Sequence, residues 1–183
     1  RRGAPREAGT YVYTIDIVGT CNLRCPTCPV GNLADSARPR GFMDYALFER
    51  IVDKLARESP AATPEVWLFN WGEPLLHPEA PRFLRLLRER GLPAHLSTNL
   101  NVRHGLDEVV AAAPASIKVS ISGFSAATYA DTHRRGDLEL VVANLRALRA
   151  ALDRHRVATR IWVGQHVYRG NQHEVEPLGA LCR

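Results

Sequence analysis

The sequence predicts an α/β fold built on a parallel sheet, and three observations carry that prediction. Strand-like and helix-like runs alternate along nearly the whole chain, which is the pattern of repeated βα units. Segments rich in Cys, Asn, Gly and Ser fall at the ends of the strand-like runs, where a parallel sheet with right-handed crossovers gathers its functional groups. At 183 residues and 45% hydrophobic content, the chain can bury a core and reads as one globular domain or a large piece of one.

Residues 11–18 alternate well enough for a first strand, and a cysteine-bearing loop follows. Asp44 is placed to cap a helix reaching Arg57, with Leu47, Phe48, Ile51, Val52 and Leu55 at helical spacing. Residues 65–71 read as a second strand. Pro81 sits where a first helical turn tolerates it, Phe83, Leu84, Leu86 and Leu87 form an apolar stripe, and Gly91 ends the helix. A third strand is predicted over 94–98, then a short helix near 107–113. A fourth strand over 116–122 precedes a long helix over 138–155. A fifth strand spans 158–167, and a last helix begins near His173. In the fourth strand Ile117, Val119 and Ile121 point one way, while Lys118, Ser120 and Ser122 point the other. In a barrel with helices outside, that polar set faces the lumen, which implies a ligand there.

The formal charge of +5 comes from 24 basic against 19 acidic residues. The basic residues are scattered through helix-like segments, as at Arg82, Arg85, Arg88 and Arg90. Scatter of this kind describes solvated helix faces, so no nucleic-acid partner is expected. No apolar run approaches the length of a membrane span, so the expectation is a soluble, cytoplasmic protein without a membrane partner. Residues 1–10 are polar, contain Gly and Pro, and read as a tail.

Three of the four cysteines, Cys21, Cys25 and Cys28, stand in one short loop directly after the first strand. Three closely spaced thiolates with no local fourth can hold an iron–sulfur cube while leaving one iron free to bind a small molecule. Two disulfides would need the distant Cys182, and these thiols read as reduced ligands. Structural zinc needs four protein ligands, and one knuckle is visible. Zinc held with Cys182 or a distant histidine stays open as the alternative.

The C-x3-C-x2-C spacing resembles the signature of the radical S-adenosylmethionine superfamily. Asn70-Trp71-Gly72-Glu73-Pro74, Ser97-Thr98-Asn99, Ser120-Ile121-Ser122-Gly123 and His133-Arg134-Arg135-Gly136 follow in the family's order. The resemblance implies a partial (β/α)6 TIM-like barrel over residues 11–183, of the kind that forms the core of SPASM- or twitch-type members. Five strands are countable, so the chain is expected to be a fragment lacking the sixth βα unit.

The resemblance further implies that Cys21, Cys25 and Cys28 hold a [4Fe-4S] cluster whose fourth iron is chelated by S-adenosylmethionine. One-electron reduction, fed by an external low-potential electron donor, would give methionine and a 5′-deoxyadenosyl radical that abstracts hydrogen from a substrate. Thr27 stands where many members carry an aromatic residue. Gly72, Glu73 and Pro74 would receive the cofactor's ammonium, with Trp71 in place of the family's first glycine. Ser120 would contact the ribose, with Ser122 in place of an aspartate. Arg134, or Arg135 after it, would pair with the methionine carboxylate. Thr98 and Asn99 match a family segment in which Leu100 replaces glycine. Lys118 and His166 are lumen candidates for proton transfer, and Cys182 reads as a small buried side chain. The substrate is a small molecule or a peptide, with a natural-product or carbohydrate precursor preferred. The contrasting class is a non-catalytic iron–sulfur electron carrier or a zinc-stabilised binding module.

Overall fold

The computed structural model describes residue 9, residues 11–34, residue 37, residues 40–59 and residues 64–182. All of the expected tail except Gly9 lies outside the described residues. Five parallel strands form one sheet in sequence order: β1 (Val12–Thr14), β2 (Glu65–Trp67), β3 (Ala94–Thr98), β4 (Ser116–Ser120) and β5 (Arg160–Gly164). Each strand pairs with its neighbour in sequence, as βα units require. The helices are α1 (Pro29–Asn32), α2 (Tyr45–Glu58), α3 (Ala80–Glu89), α4 (Leu106–Ala111), α5 (Ala126–Thr132), α6 (Leu138–His155) and α7 (Val175–Leu181). Among the described residues no helix is long and apolar enough to cross a membrane.

The helix starts follow from local chemistry. Asp44 and Asp137 accept the amides of Leu47 and Leu140 at the starts of α2 and α6, and each such cap contributes roughly 1 kcal/mol. Phe83, Leu84, Leu86 and Leu87 of α3 are buried against the sheet, each worth about 1.5–3 kcal/mol of removed apolar surface. The buried rings of Phe48 and Phe83 meet at 4.5 Å. His77 joins them, 4.6 Å from Phe83, accepting from the Glu79 amide at Nδ1, so that Nε2 donates to the Met43 carbonyl.

Four strands are shorter than their sequence patterns, because at the carboxyl ends the backbone leaves the ladder for other partners. After β1, Ile17 accepts from the Met43 amide, and Val18 pairs with Phe42 in an isolated antiparallel bridge. After β2, the amides of 70–72 turn to the Asp16 carboxylate. After β4 and β5, the Ser122 hydroxyl accepts from the His166 amide. Two side chains differ from expectation. Leu47 is exposed, because it borders an open groove beside β1. Cys182 is exposed and not buried: it caps the end of α7 over an open groove lined by α6 and β5.

The sequence pattern also passed over α1, α5 and a 3₁₀ turn over Pro74–Leu76. The N-terminus of α5 is tied down by Glu174. Its carboxylate accepts from the amides of Phe124 and Ser125 and from the Ser125 hydroxyl. Burial raises its pKa, but those hydrogen bonds outweigh it and bring the carboxyl from 4.5 down to about 2. The folded value lies below the unfolded one, so this stability is present above about pH 4.5 and is lost as pH falls toward 2. Glu174→Gln is therefore expected to cost up to about 3 kcal/mol near neutrality and little near pH 2. Urea unfolding of both proteins across that window checks it.

Candidate active site

The carboxyl ends of all five strands open on one cavity of about 350 Å³. Cys21, Cys25 and Cys28 line it on one side, Gly72, Glu73, Thr98 and Asn99 on the next, and Lys118, Ser120, Ser122, His133, His166 and Tyr168 opposite. Of the residues that the resemblance assigns to the cofactor, Pro74, Arg134 and the alternative Arg135 lie outside this lining. Pro74 is buried and begins the 3₁₀ turn. Arg134 has an exposed side chain, while its carbonyl accepts from the Arg24 amide in the cysteine loop.

The cysteine loop is closed by its own backbone, Cys28 N to Cys25 O at 3.1 Å and Gly31 N to Cys28 O at 3.0 Å. Asn32, at the end of α1, donates to the carbonyls of Cys25, Pro26 and Cys28. Cys21 Sγ accepts from the Leu23 amide and from Asn99 Nδ2, each at 3.4 Å. Burial pushes the thiols of Cys21 and Cys25 up to about 11, with Glu73 adding to the rise at Cys21 and the neighbouring thiols to that at Cys25. Desolvated thiols that resist ionisation together become thiolates when positive charge is placed among them, as a metal centre does.

At the end of β2, Asp16 accepts the amides of Asn70 at 2.8 Å, Trp71 at 3.0 Å and Gly72 at 3.4 Å. This carboxylate shapes the turn after β2. Gly72 is obligatory for a separate reason: a Cβ there would stand 1.8 Å from the Val18 carbonyl oxygen. Gly72→Ala must push β1 and β2 apart at their carboxyl ends, a cost expected at about 3 kcal/mol or more, measurable by urea unfolding.

Glu73 is 2% exposed and turns its carboxylate inward. It accepts from Thr98 Oγ1 and the Asn99 amide, both at 2.7 Å, and from the Leu75 amide at 3.0 Å. Burial raises its pKa to about 7, and those three donors oppose the rise. Both oxygens thus hold the end of β3 against the end of β2. Leu100, next along, adopts φ 58°, the left-handed region that glycine enters freely and other residues enter at roughly 1–2 kcal/mol. Full burial of its side chain, Thr98 Oγ1 on its amide and Asn144 on its carbonyl hold it there.

Asn99, together with Asn22 and Asn101, which the sequence analysis did not single out, clamps the loop to β3, to α5 and to the start of α6. Asn99 donates to Asn22 Oδ1 at 2.9 Å, Asn22 donates to the Asn101 carbonyl at 2.8 Å, and Asn101 donates to the Tyr129 hydroxyl at 2.8 Å. Asn101 Oδ1 also accepts the Asp137 amide. Asn-x-Asn after a strand was the available signal, since such side chains satisfy backbone groups where ladders end.

On the far wall Ser122 is buried and accepts from the His166 amide, while Asn171 donates to its carbonyl at 2.6 Å. His133 stacks on Tyr129 at 4.8 Å. Burial lowers its pKa to about 4, against a hydrogen bond that it donates to the Ser120 carbonyl and with His166 adding to the drop, so it is neutral at pH 7. Tyr168 shares a 3.0 Å hydrogen bond with Thr27 across the mouth, bringing an aromatic ring beside the position where the loop itself has none.

A cluster fits these residues. Three sulfur donors sit on one closed loop at the edge of a cavity, and two N–H groups point at Cys21 Sγ.

Residues 15–170 match the model of the Radical SAM superfamily. A 35% identical stretch of 89 residues, 49% of this chain, is shared with a tungsten-containing aldehyde ferredoxin oxidoreductase cofactor-modifying protein of Pyrococcus furiosus, of which it covers 23%. A 30% identical stretch of 109 residues, 54% of this chain, is shared with a 7,8-dihydro-6-hydroxymethylpterin dimethyltransferase of Methanocaldococcus jannaschii, of which it covers 21%. The chain thus spans about a fifth of the length of these curated relatives. The crystal structure of Streptococcus suis SuiB bound to S-adenosylmethionine superposes with a TM-score of 0.72 at 13% identity, over 96% of this chain and 38% of that one. SuiB bound to its precursor peptide SuiA superposes equally well. Family model, strand order and cysteine loop agree, and the chain belongs to the radical SAM superfamily.

Proposed function

We propose that residues 11–183 form the core of an enzyme that binds a [4Fe-4S] cluster through Cys21, Cys25 and Cys28 and cleaves S-adenosylmethionine reductively. The observation that carries this reading is the opening of all three thiols onto the cavity at the carboxyl ends of the strands. Among the described residues no three His, Cys, Asp or Glu side chains are arranged around a single metal ion. Thiols spread this way suit a body in which each sulfur meets its own iron.

When bound, the cluster and cofactor supply one electron to a sulfonium and a 5′-deoxyadenosyl radical that removes hydrogen from the substrate. The chain's own residues do the rest. The asparagine clamp fixes the cysteine loop. Asp16 orients the backbone of 70–72 toward the cavity, where carbonyl oxygens can receive an ammonium. Glu73 positions that segment through its bonds to Thr98, Asn99 and Leu75 while lining the cavity beside those carbonyls. The Ser120 hydroxyl lines the wall where a ribose would lie, and neutral His133 with Tyr168 covers that side against water. The substrate is a small molecule or peptide. The relatives named for a cofactor and a pterin favour a small molecule.

The test is anaerobic reconstitution of the 183-residue chain with iron and sulfide, followed by dithionite and S-adenosylmethionine. Chromatography should find 5′-deoxyadenosine and methionine in equal amounts. Reconstituted protein that forms neither above the level of dithionite alone would contradict the proposal.

A further inference from the structure

Lys118, a lumen candidate for proton transfer in the sequence, takes no part in holding the cluster or S-adenosylmethionine under the proposed function. It sits on the lumen face of β4, in register with Ser97 on β3 and Trp162 on β5. Among the described residues lining the cavity it carries the one fixed positive charge. Its Nζ meets no carboxylate or hydrogen-bond acceptor among the described residues, and lies 5.2 Å from the centre of the Trp162 ring. The place is shaped for it: a Cβ on Gly164 would stand 2.5 Å from Lys118 Cε, so a glycine on β5 leaves the channel along which the side chain runs. Phe69 lines the same floor, stacked on Trp67 at 5.4 Å. A half-buried ammonium with no carboxylate or hydrogen-bond acceptor, lining a cavity that Phe69 also lines, is an anion site awaiting its ligand.

Strand geometry separates this floor from the cofactor. Lys118 is one pleat below Ser120, roughly 6–7 Å further from the carboxyl ends of the strands, and the cysteine loop follows a strand three places away, about 14 Å across the sheet. Resting on the radical reading above, we propose that Lys118 binds a carboxylate or phosphate of the substrate, with Phe69 against the group that carries it. The site therefore selects anionic small molecules.

The test titrates the whole reconstituted chain with benzoate and with benzamide, alike in shape and different in charge, with and without saturating S-adenosylmethionine. A charge-assisted hydrogen bond favours benzoate roughly ten- to a hundredfold. Lys118→Met, which keeps the length, should equalise the two probes, and Lys118→Arg should keep the preference. The S-adenosylmethionine affinity read from the cluster spectrum should be the same in Lys118→Met as in the wild type. Equal binding of the probes by the wild type, or a preference that survives Lys118→Met, overturns the proposal. A tenfold or greater loss of S-adenosylmethionine affinity in Lys118→Met also overturns it, by giving this cation to the cofactor's carboxylate. A wild type that ignores S-adenosylmethionine sinks the radical reading instead, since the titration without cofactor reads Lys118 independently.

Discussion

Glu73→Ala is expected to destabilise the fold by roughly 3–5 kcal/mol, a large part of a domain's total stability. The carboxylate is buried and its three donors, the Thr98 hydroxyl and the amides of Asn99 and Leu75, have no replacement in the structure. Removing the acceptor strands those donors, and stranded buried groups cost more than the net worth of the bonds they made. Glu73→Gln keeps the shape but points an amide N–H at a donor, so it should fall between wild type and Glu73→Ala. Urea midpoints for the three proteins order them. A Glu73→Ala protein as stable as wild type would show that the β2 and β3 ends are held by something else.

The second large effect belongs to the thiols. Wild type reconstituted anaerobically is expected to hold about four iron atoms per chain. Cys21→Ala, Cys25→Ala and Cys28→Ala should each lose most of that iron and the visible absorption with it. Cys182→Ala should keep both, because Cys182 lies over the groove between α6 and β5 and is absent from the cavity lining. Iron lost on mutating Cys182 would mean four protein sulfurs and no open coordination position.

The division between what the sequence disclosed and what it hid follows the reach of the interactions. Periodicity is local, so α6 appears over Leu138–His155 and β3 over Ala94–Thr98 as expected. The lumen set Lys118, Ser120 and Ser122 follows from the two-residue repeat of a strand. Strand ends were misplaced because side chains far along the chain compete for their amides, as Asp16 does for residues 70–72. The inward turn of Glu73 and the partners of the asparagine clamp are contacts between β-strand ends, brought together by parallel pairing, so a window of sequence offers the Asn-x-Asn signal but not what it binds. Leu100 shows the converse. Leu100 stands where the resembling family segment has glycine, and burial with two hydrogen bonds holds the leucine at positive φ.

The proposed iron–sulfur centre is held by three protein sulfurs, with one position open to S-adenosylmethionine. The direct measurement is the electron paramagnetic resonance spectrum of the reduced, reconstituted chain, titrated with S-adenosylmethionine labelled with ¹⁷O at the carboxylate or ¹⁵N at the amino group. The account predicts a shifted spectrum that saturates with the cofactor, together with hyperfine coupling to the label. An iron–sulfur signal that ignores the cofactor, or a colourless protein carrying zinc, would contradict it.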